Sequence, residues 1–290
     1  ADFVTAARST DASAVPPAKA AWYANTEEVA RFLASINPNW SLADLRAHLQ
    51  AQLDRTLLEI VWRVEARWDF DVATYDDVES QSLTFADFLT SGLIAQFPGM
   101  IGPSPVLAKD EEVVVTMRKL WNEHVLWMHV YFVDQTSSLP DVQHAAARLM
   151  QNQVDIGNAF KPFYGAAVGE ELTGLLREHV TGAFALIVAI DANDDLALRS
   201  LNVAWYHNAD QIAQLLARVN PYWPLAAAEA NIRRHLDLTE YDFTVRADRR
   251  LVGVRWRRDV GAYDDVVVQI LTVSDFLANG IAAQFRVVTL

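Results

Sequence analysis

A chain of 290 residues that is 52% hydrophobic and carries nine tryptophans has enough apolar mass for one large or two medium cores. A formal net charge of −13 argues against sequence-independent nucleic-acid binding, which needs a basic face to displace phosphate counterions. The absence of cysteine excludes disulfides, thiolate catalysis and cysteine-ligated zinc or iron–sulfur centres.

No apolar run free of charge and proline reaches the roughly 20 residues of a membrane helix, so the sequence reads as that of a soluble protein with neither a nucleic-acid nor a membrane partner. The compartment stays open between the cytoplasm and secretion after N-terminal processing. The chain begins at Ala1 without methionine, and Asn39 opens an Asn-Trp-Ser sequon.

Apolar residues recur at three and four along the chain and no segment alternates as a half-buried strand does, which predicts an all-α fold. From the N-terminus, "AWYANTEEVARFLASINPNW" (Ala21–Trp40) predicts a helix closed by an Asn-Pro turn. Ser41 is placed to cap a second helix that runs through "LDRT" at Leu53. "YDDVESQSLTFADFLTSGLIAQF" (Tyr75–Phe97) is the third, followed by a Pro/Gly linker over 101–110.

Beyond the linker come Glu111–Asp134, Leu149–Gly165, Leu172–Ile187, Ala204–Trp223 with its own Asn-Pro turn, a helix through "LDLT" at Leu236, and Tyr263–Phe285. The last three repeat the first three almost word for word, and the segments from 149 to 187 are a more divergent copy of the first two. The expected architecture is a duplicated helical bundle. Residues 111–290 form a six-helix domain with pseudo-two-fold symmetry, and residues 1–100 form a three-helix half copy. That half leaves a packed face uncovered, so it is expected to dock onto the later domain or onto a second subunit, giving a homo-oligomer. The Arg-rich stretch from Arg246 to Asp259 reads as a solvated helix face with acidic partners.

In the third helix the identical residues Asp77, Gln81, Thr84, Phe88, Gly92 and Ala95 trace one helical face, while Glu79 and Ser82 drift to Val267 and Ile270 in the later copy. The shared face is therefore expected to be packed. Asn25–Gln52, Asn152–His179 and Asn208–His235 each stand 27 residues apart. At 1.5 Å per residue, two antiparallel helices leaving a turn bring such a pair level at about 18 Å from it.

Asn208, His235, Gln269 and Thr272 are accordingly expected to converge, with His124, Asn152 and His179 as their pseudo-symmetric counterpart. This cluster is either a satisfied polar network that fixes helix register or a ligand-binding pocket.

No catalytic residue and no metal ligand is assigned. The Glu-x-x-His pairs of di-iron bundles are missing, although a mononuclear site from His124, His179 and Asp155 is left open. Neither a phosphate-binding Gly-rich loop nor a G-x-S-x-G elbow is present, and no cofactor is identifiable. The function expected is that of a non-enzymatic binding protein with a small polar pocket for a small-molecule ligand. The alternatives are a metal- or His-dependent enzyme using His179 or His235 as acid–base, and a repeat-built protein of self-assembly.

"LWNEHVLWMHV", "LMQNQVDIGNAFKPFYG", "AWYHNADQIAQLLARVNPYW" and "YDDVVVQILTVSDFLANGIAAQF" together resemble a family of small uncharacterised bacterial helical proteins. The resemblance covers about Glu111 to Phe285 and, as a half copy, Ala21 to Phe97. It implies a helical fold. Members carry glycosyltransferase or kinase labels, which no motif in this chain supports.

Overall fold

Several helix ends fall where proline, glycine or a side-chain cap places them. The computed structural model describes residues 2–9, 12–100, 108–248 and 255–285. Its helices are α1 (Asp2–Ala7), α2 (Val15–Ile36), α3 (Leu42–Val64), α4 (Trp68–Gln96), α5 (Ala108–Ser137), α6 (Val142–Tyr164), α7 (Ala166–Ala192), α8 (Asp195–Val219), α9 (Leu225–Ala247) and α10 (Arg255–Phe285), with a 3-10 turn at Ala12–Ala14. There is no strand among the described residues, and the fold is all-α.

Ser41 caps α3 by accepting from the Asp44 amide at 3.0 Å, and the Asp194 carboxylate caps α8 by accepting from the amides of Leu196 and Ala197. Gly165, at a φ of 83°, lets α6 stop and α7 begin without an intervening loop.

The chain divides into two compact units, residues 1–105 and 106–290. Most of the predicted 101–110 linker, residues 101–107, lies outside the described residues, as do 249–254 of the Arg-rich stretch.

In the second unit the six helices close a ring. α5 packs on α6, α6 on α7, α7 on α8, α8 on α9 and α9 on α10, and α10 returns to α5. Each helix points one apolar stripe inward, such as Leu172, Leu176, Val180 and Ala183 on α7, or Ile270, Val273, Leu277 and Ile281 on α10. The first unit has three helices of this kind, with α2 on α3 and α3 on α4, and α1 laid against α2 and α3.

Two equivalent contacts recur in the units. The Trp40 indole donates to the Leu89 carbonyl at 3.2 Å beside Gly92, and the Trp223 indole donates to the Phe276 carbonyl at 3.2 Å beside Gly280. A Cβ on either glycine would overlap the indole ring. Gly280→Ala is therefore expected to lower the stability of the second unit by about 1–3 kcal/mol, as overpacking does. Equilibrium denaturation checks this, and an unchanged midpoint would refute it.

The structure corrects the expectation that the residues identical in α4 and α10 form one packed face. Thr84 and Thr272 are exposed and bond back to their own helices at Ser80 and Val268. What the two helices share is their seat on the preceding hairpin, through the glycines and through Gln81 and Gln269, whose amides donate to the carbonyls of His48 and Asn231. The inward stripe of α10 instead runs through Ile270, a position that drifts to the exposed Ser82. Only in the six-helix ring does a second neighbour, α5, cover that side.

Along α2 the same difference appears. Ile212 and Leu215 are 3% and 2% exposed, whereas Val29 and Phe32, which match them in sequence, are 37% and 62% exposed.

In the Arg-rich segment Arg257 and Arg258 are exposed as expected, and Arg246 has an acidic partner but departs in its burial. Arg246 is not solvated: it reaches the buried Asp259 carboxylate at 2.8 Å and lies over the Phe132 ring. Two helical spans, 166–192 and 257–285, are long and apolar enough to cross a membrane. In the six-helix ring their inward residues are core positions.

Candidate metal centre

Three histidines occupy inward positions near the middle of alternate helices of the ring. On α5 the stripe Met117, Trp121, His124, Met128 steps by four, three and four; on α7 it is Leu172, Leu176, His179, Ala183; on α9 it is Ala228, Ile232, His235, Thr239. A helix that buries its neighbours at this spacing buries the imidazole with them. The three side chains meet at one level, with ring centroids 6.2 Å (His124–His179), 5.8 Å (His124–His235) and 6.4 Å (His179–His235) apart. One nitrogen from each lies within 4.8 Å of the others.

Amide side chains fix two of the rings. Gln153 donates its NH2 to the Leu149 carbonyl at 2.7 Å and to Asn152 Oδ1 at 3.1 Å, so its Oε1 is left to accept from His124 Nδ1 at 3.2 Å. Asn208 donates its NH2 to the Leu175 carbonyl at 3.1 Å and accepts from His179 Nδ1 at 3.2 Å. With its amide NH2 committed to a carbonyl, each side chain can only accept through oxygen, which puts the imidazole proton on Nδ1 and the lone pair on Nε2. His235 differs, because its Nδ1 is buried without a hydrogen-bond partner.

Aromatic rings complete the walls. Trp205 stacks on His179 at 5.1 Å and donates to the His179 carbonyl at 3.0 Å, and Trp121 meets His124 edge-on.

Burial dominates the titration of all three groups. It lowers His124 to about 4, against a smaller opposing effect of the bond to Gln153. Burial, then the neighbouring His124, lowers His179 to about 3. Burial, then His124 and His179, holds His235 well below the ordinary value. At neutral pH the cluster consists of three uncharged imidazoles.

Two small cavities share this layer of histidines. Toward the C-terminal halves of α5 and α9 lies one of about 10 Å³ bordered by His129, Thr239, Asp242 and Tyr263. Toward their N-terminal halves lies one of about 30 Å³ bordered by Trp121, Leu172, Leu176, Ile212, Ile270 and Leu277. A drug-sized organic ligand needs roughly 300–1,000 Å³, so these spaces suit a single ion and a water molecule or two. A hollow of about 560 Å³ bordered by Met117, Phe163 and Phe285 lies elsewhere, without any of the three histidines.

Of the residues expected to converge, the structure brings together His124, His179, His235 and Asn208. Asn152 is buried beside them but bonds to the Leu120 carbonyl and to Glu123, not to an imidazole. Gln269 and Thr272 are not at the cluster: one bonds the Asn231 backbone and the other is exposed. Asp155, considered beside His124 and His179 as a ligand, pairs with Gln151 on the outer side of α6, and His235 takes the third place. The buried Glu123 is engaged by Lys119, Arg148 and Asn152.

The first-copy equivalents form no such site. Asn25 is exposed, and Gln52 stands where His235 does in the second unit. Gln153 and Asp242 are the polar residues the sequence reading passed over. Gln153 adjoins Asn152, and Asp242 lies seven residues after His235, on the same helical face.

No family model, curated protein or solved structure matches the chain.

Proposed function

We propose that this is a metal-binding protein whose small-ligand site takes one divalent transition-metal ion on His124, His179 and His235. The observation that carries the reading is the pair of anchored amides, Gln153 and Asn208, which hold two imidazoles with their Nε2 lone pairs free beside a third buried imidazole. Metal-binding histidines are held this way, the second nitrogen donating to a fixed acceptor. A network that only set helix register would leave no buried imidazole nitrogen unsatisfied, whereas the Nδ1 of His235 has no hydrogen-bond partner.

Donor atoms 4.8 Å apart lie at most about 2.8 Å from their common centre, so an inward shift of at most about 0.8 Å reaches the roughly 2.0–2.1 Å of a zinc–imidazole bond. Neutral nitrogen ligands suit Zn, Co, Ni, Cu or Fe rather than Ca or Mg. Three protein ligands leave a coordination position open, as catalytic zinc sites do. A metal-dependent activity is the second reading, and that open position favours it.

Equilibrium dialysis of the full chain against Zn²⁺ or Co²⁺, followed by metal analysis, is expected to give one ion per chain. The variant carrying His124→Gln, His179→Gln and His235→Gln is expected to retain none. Equal retention by both proteins would overturn the reading. Asn208→Leu removes the acceptor on His179 and is expected to weaken the metal by about 10- to 100-fold without abolishing it, the usual range for a residue that orients a ligand. An unchanged affinity in competition titrations would show that the amide plays no such part.

A further inference from the structure

A buried centre needs a way in, and the two cavities beside the histidines are unequal in this respect. The apolar one is walled by residues that are themselves core, including Leu172, Leu176, Ile212, Leu216, Ile270 and Leu277. The other ends at His129, whose side chain is 20% exposed, and at the half-buried Tyr263, whose ring lies tilted against that imidazole at 4.2 Å. At this partly open end, in contact with His129 and bordering the same cavity as the three histidines, is Asp242, buried on α9 two turns beyond His235.

Asp242 Oδ2 faces His129 Nδ1 at 3.3 Å, while its Oδ1 is buried with no hydrogen-bond partner. Among the described residues it is the one carboxylate bordering either cavity. A buried carboxylate with a bare oxygen costs free energy unless a cation or donor visits it. Burial pushes its pKa up, and His129, the nearby Asp259 and Arg246 act on it as well.

We infer that Asp242 and His129 form a loading port, an oxygen–nitrogen station that takes a divalent ion from solvent, strips part of its water and passes it to His124, His179 and His235. The inference rests on the metal-binding reading. The transfer is ligand exchange alone: carboxylate and imidazole replace water on the ion, then three imidazoles replace them. Asp242 supplies the carboxylate oxygens that draw a dication toward the three neutral imidazoles. His129, the nitrogen ligand of the station, marks the outer end of the path.

The test is stopped-flow mixing of the full-length apo-protein with Co²⁺, following the absorption of the bound ion. Asp242→Asn and His129→Gln are each expected to slow association at least tenfold while the final stoichiometry stays at one ion per chain. Asp275→Asn removes an equal charge from an Arg118-bonded surface site and is expected to leave the rate within twofold of the parent. Rates within twofold of the parent for both Asp242→Asn and His129→Gln would overturn the port. An equal slowing in Asp275→Asn would reduce the effect to net charge and overturn it too. Should Asp242→Asn lose its helical signal, His129→Gln alone decides by the same criterion. A parent protein that takes up no Co²⁺ would remove the metal-binding reading itself, a result distinct from either failure of the port.

Discussion

Zn²⁺ at about a hundred times its dissociation constant is expected to raise the melting temperature of the second unit by about 5–10 °C. Binding only to the folded state adds about 2.7 kcal/mol at that excess, and a domain of this size gains roughly 2–4 °C per kcal/mol. The triple His→Gln protein should show no such shift, since glutamine can still make hydrogen bonds at Gln153 and Asn208 but offers no imidazole lone pair. Differential scanning calorimetry of both proteins, with and without Zn²⁺, makes the comparison. An identical shift in the two would place the ion elsewhere. The metal-free parent and variant should melt within a few degrees of one another, because the walls around the histidines remain.

The second large effect is acid lability. In the unfolded chain each of the three imidazoles takes up a proton near 6.5, whereas in the folded protein burial keeps His124 neutral to about 4, His179 to about 3 and His235 neutral well below its ordinary value. The unfolded state therefore binds more protons below 6.5, and the stability these groups lend is fully present above that pH and lost as pH falls toward the folded values.

Each proton taken up only on unfolding costs about 1.4 kcal/mol per pH unit, so three together approach about 4 kcal/mol per unit, against a typical total of 5–15 kcal/mol. The buried Asp242, with its raised pKa, acts in the opposite sense but as one group. Circular dichroism against pH should show the metal-free parent unfolding between about pH 5 and 4. A His124→Leu/His179→Leu/His235→Leu protein should hold its helices about one unit lower or more. Coincident curves would mean that the imidazoles are not buried neutral groups.

The helical class was legible because Asn-Pro turns and a three-four apolar period leave no competing strand pattern, and Ser41 could be recognised as a cap from its place after Trp40. The three histidines and Asn208 were legible for a related reason: each sits in register with apolar neighbours on its helix. Their pairing was not. The 27-residue spacing suggested that Asn208 faces His235 across the α8–α9 hairpin, yet Asn208 bonds back to His179 on α7, 29 residues before it, just as Gln153 bonds back to His124. One residue can stand level with partners on both flanking helices, and spacing alone does not choose between them.

Thr272 was misplaced because it was grouped with Gln269 and Gly280, whose identity between repeats marks a contact that both copies make. That contact is the hairpin seat, which α4 also has, and not the ring interior, which it lacks. Asp242 and His129 were illegible because nothing local distinguishes a carboxylate between Tyr241 and Phe243 from any other helical Asp until the ring is closed.

The unequal anchoring of the imidazoles gives the cluster the mechanics of a caliper. His124 and His179 are two fixed arms, each tied through an amide to backbone, and His235, with no partner on Nδ1, is the sliding one. Ions of different radius would then be accommodated by the travel of a single ring, with the remaining helices left unmoved.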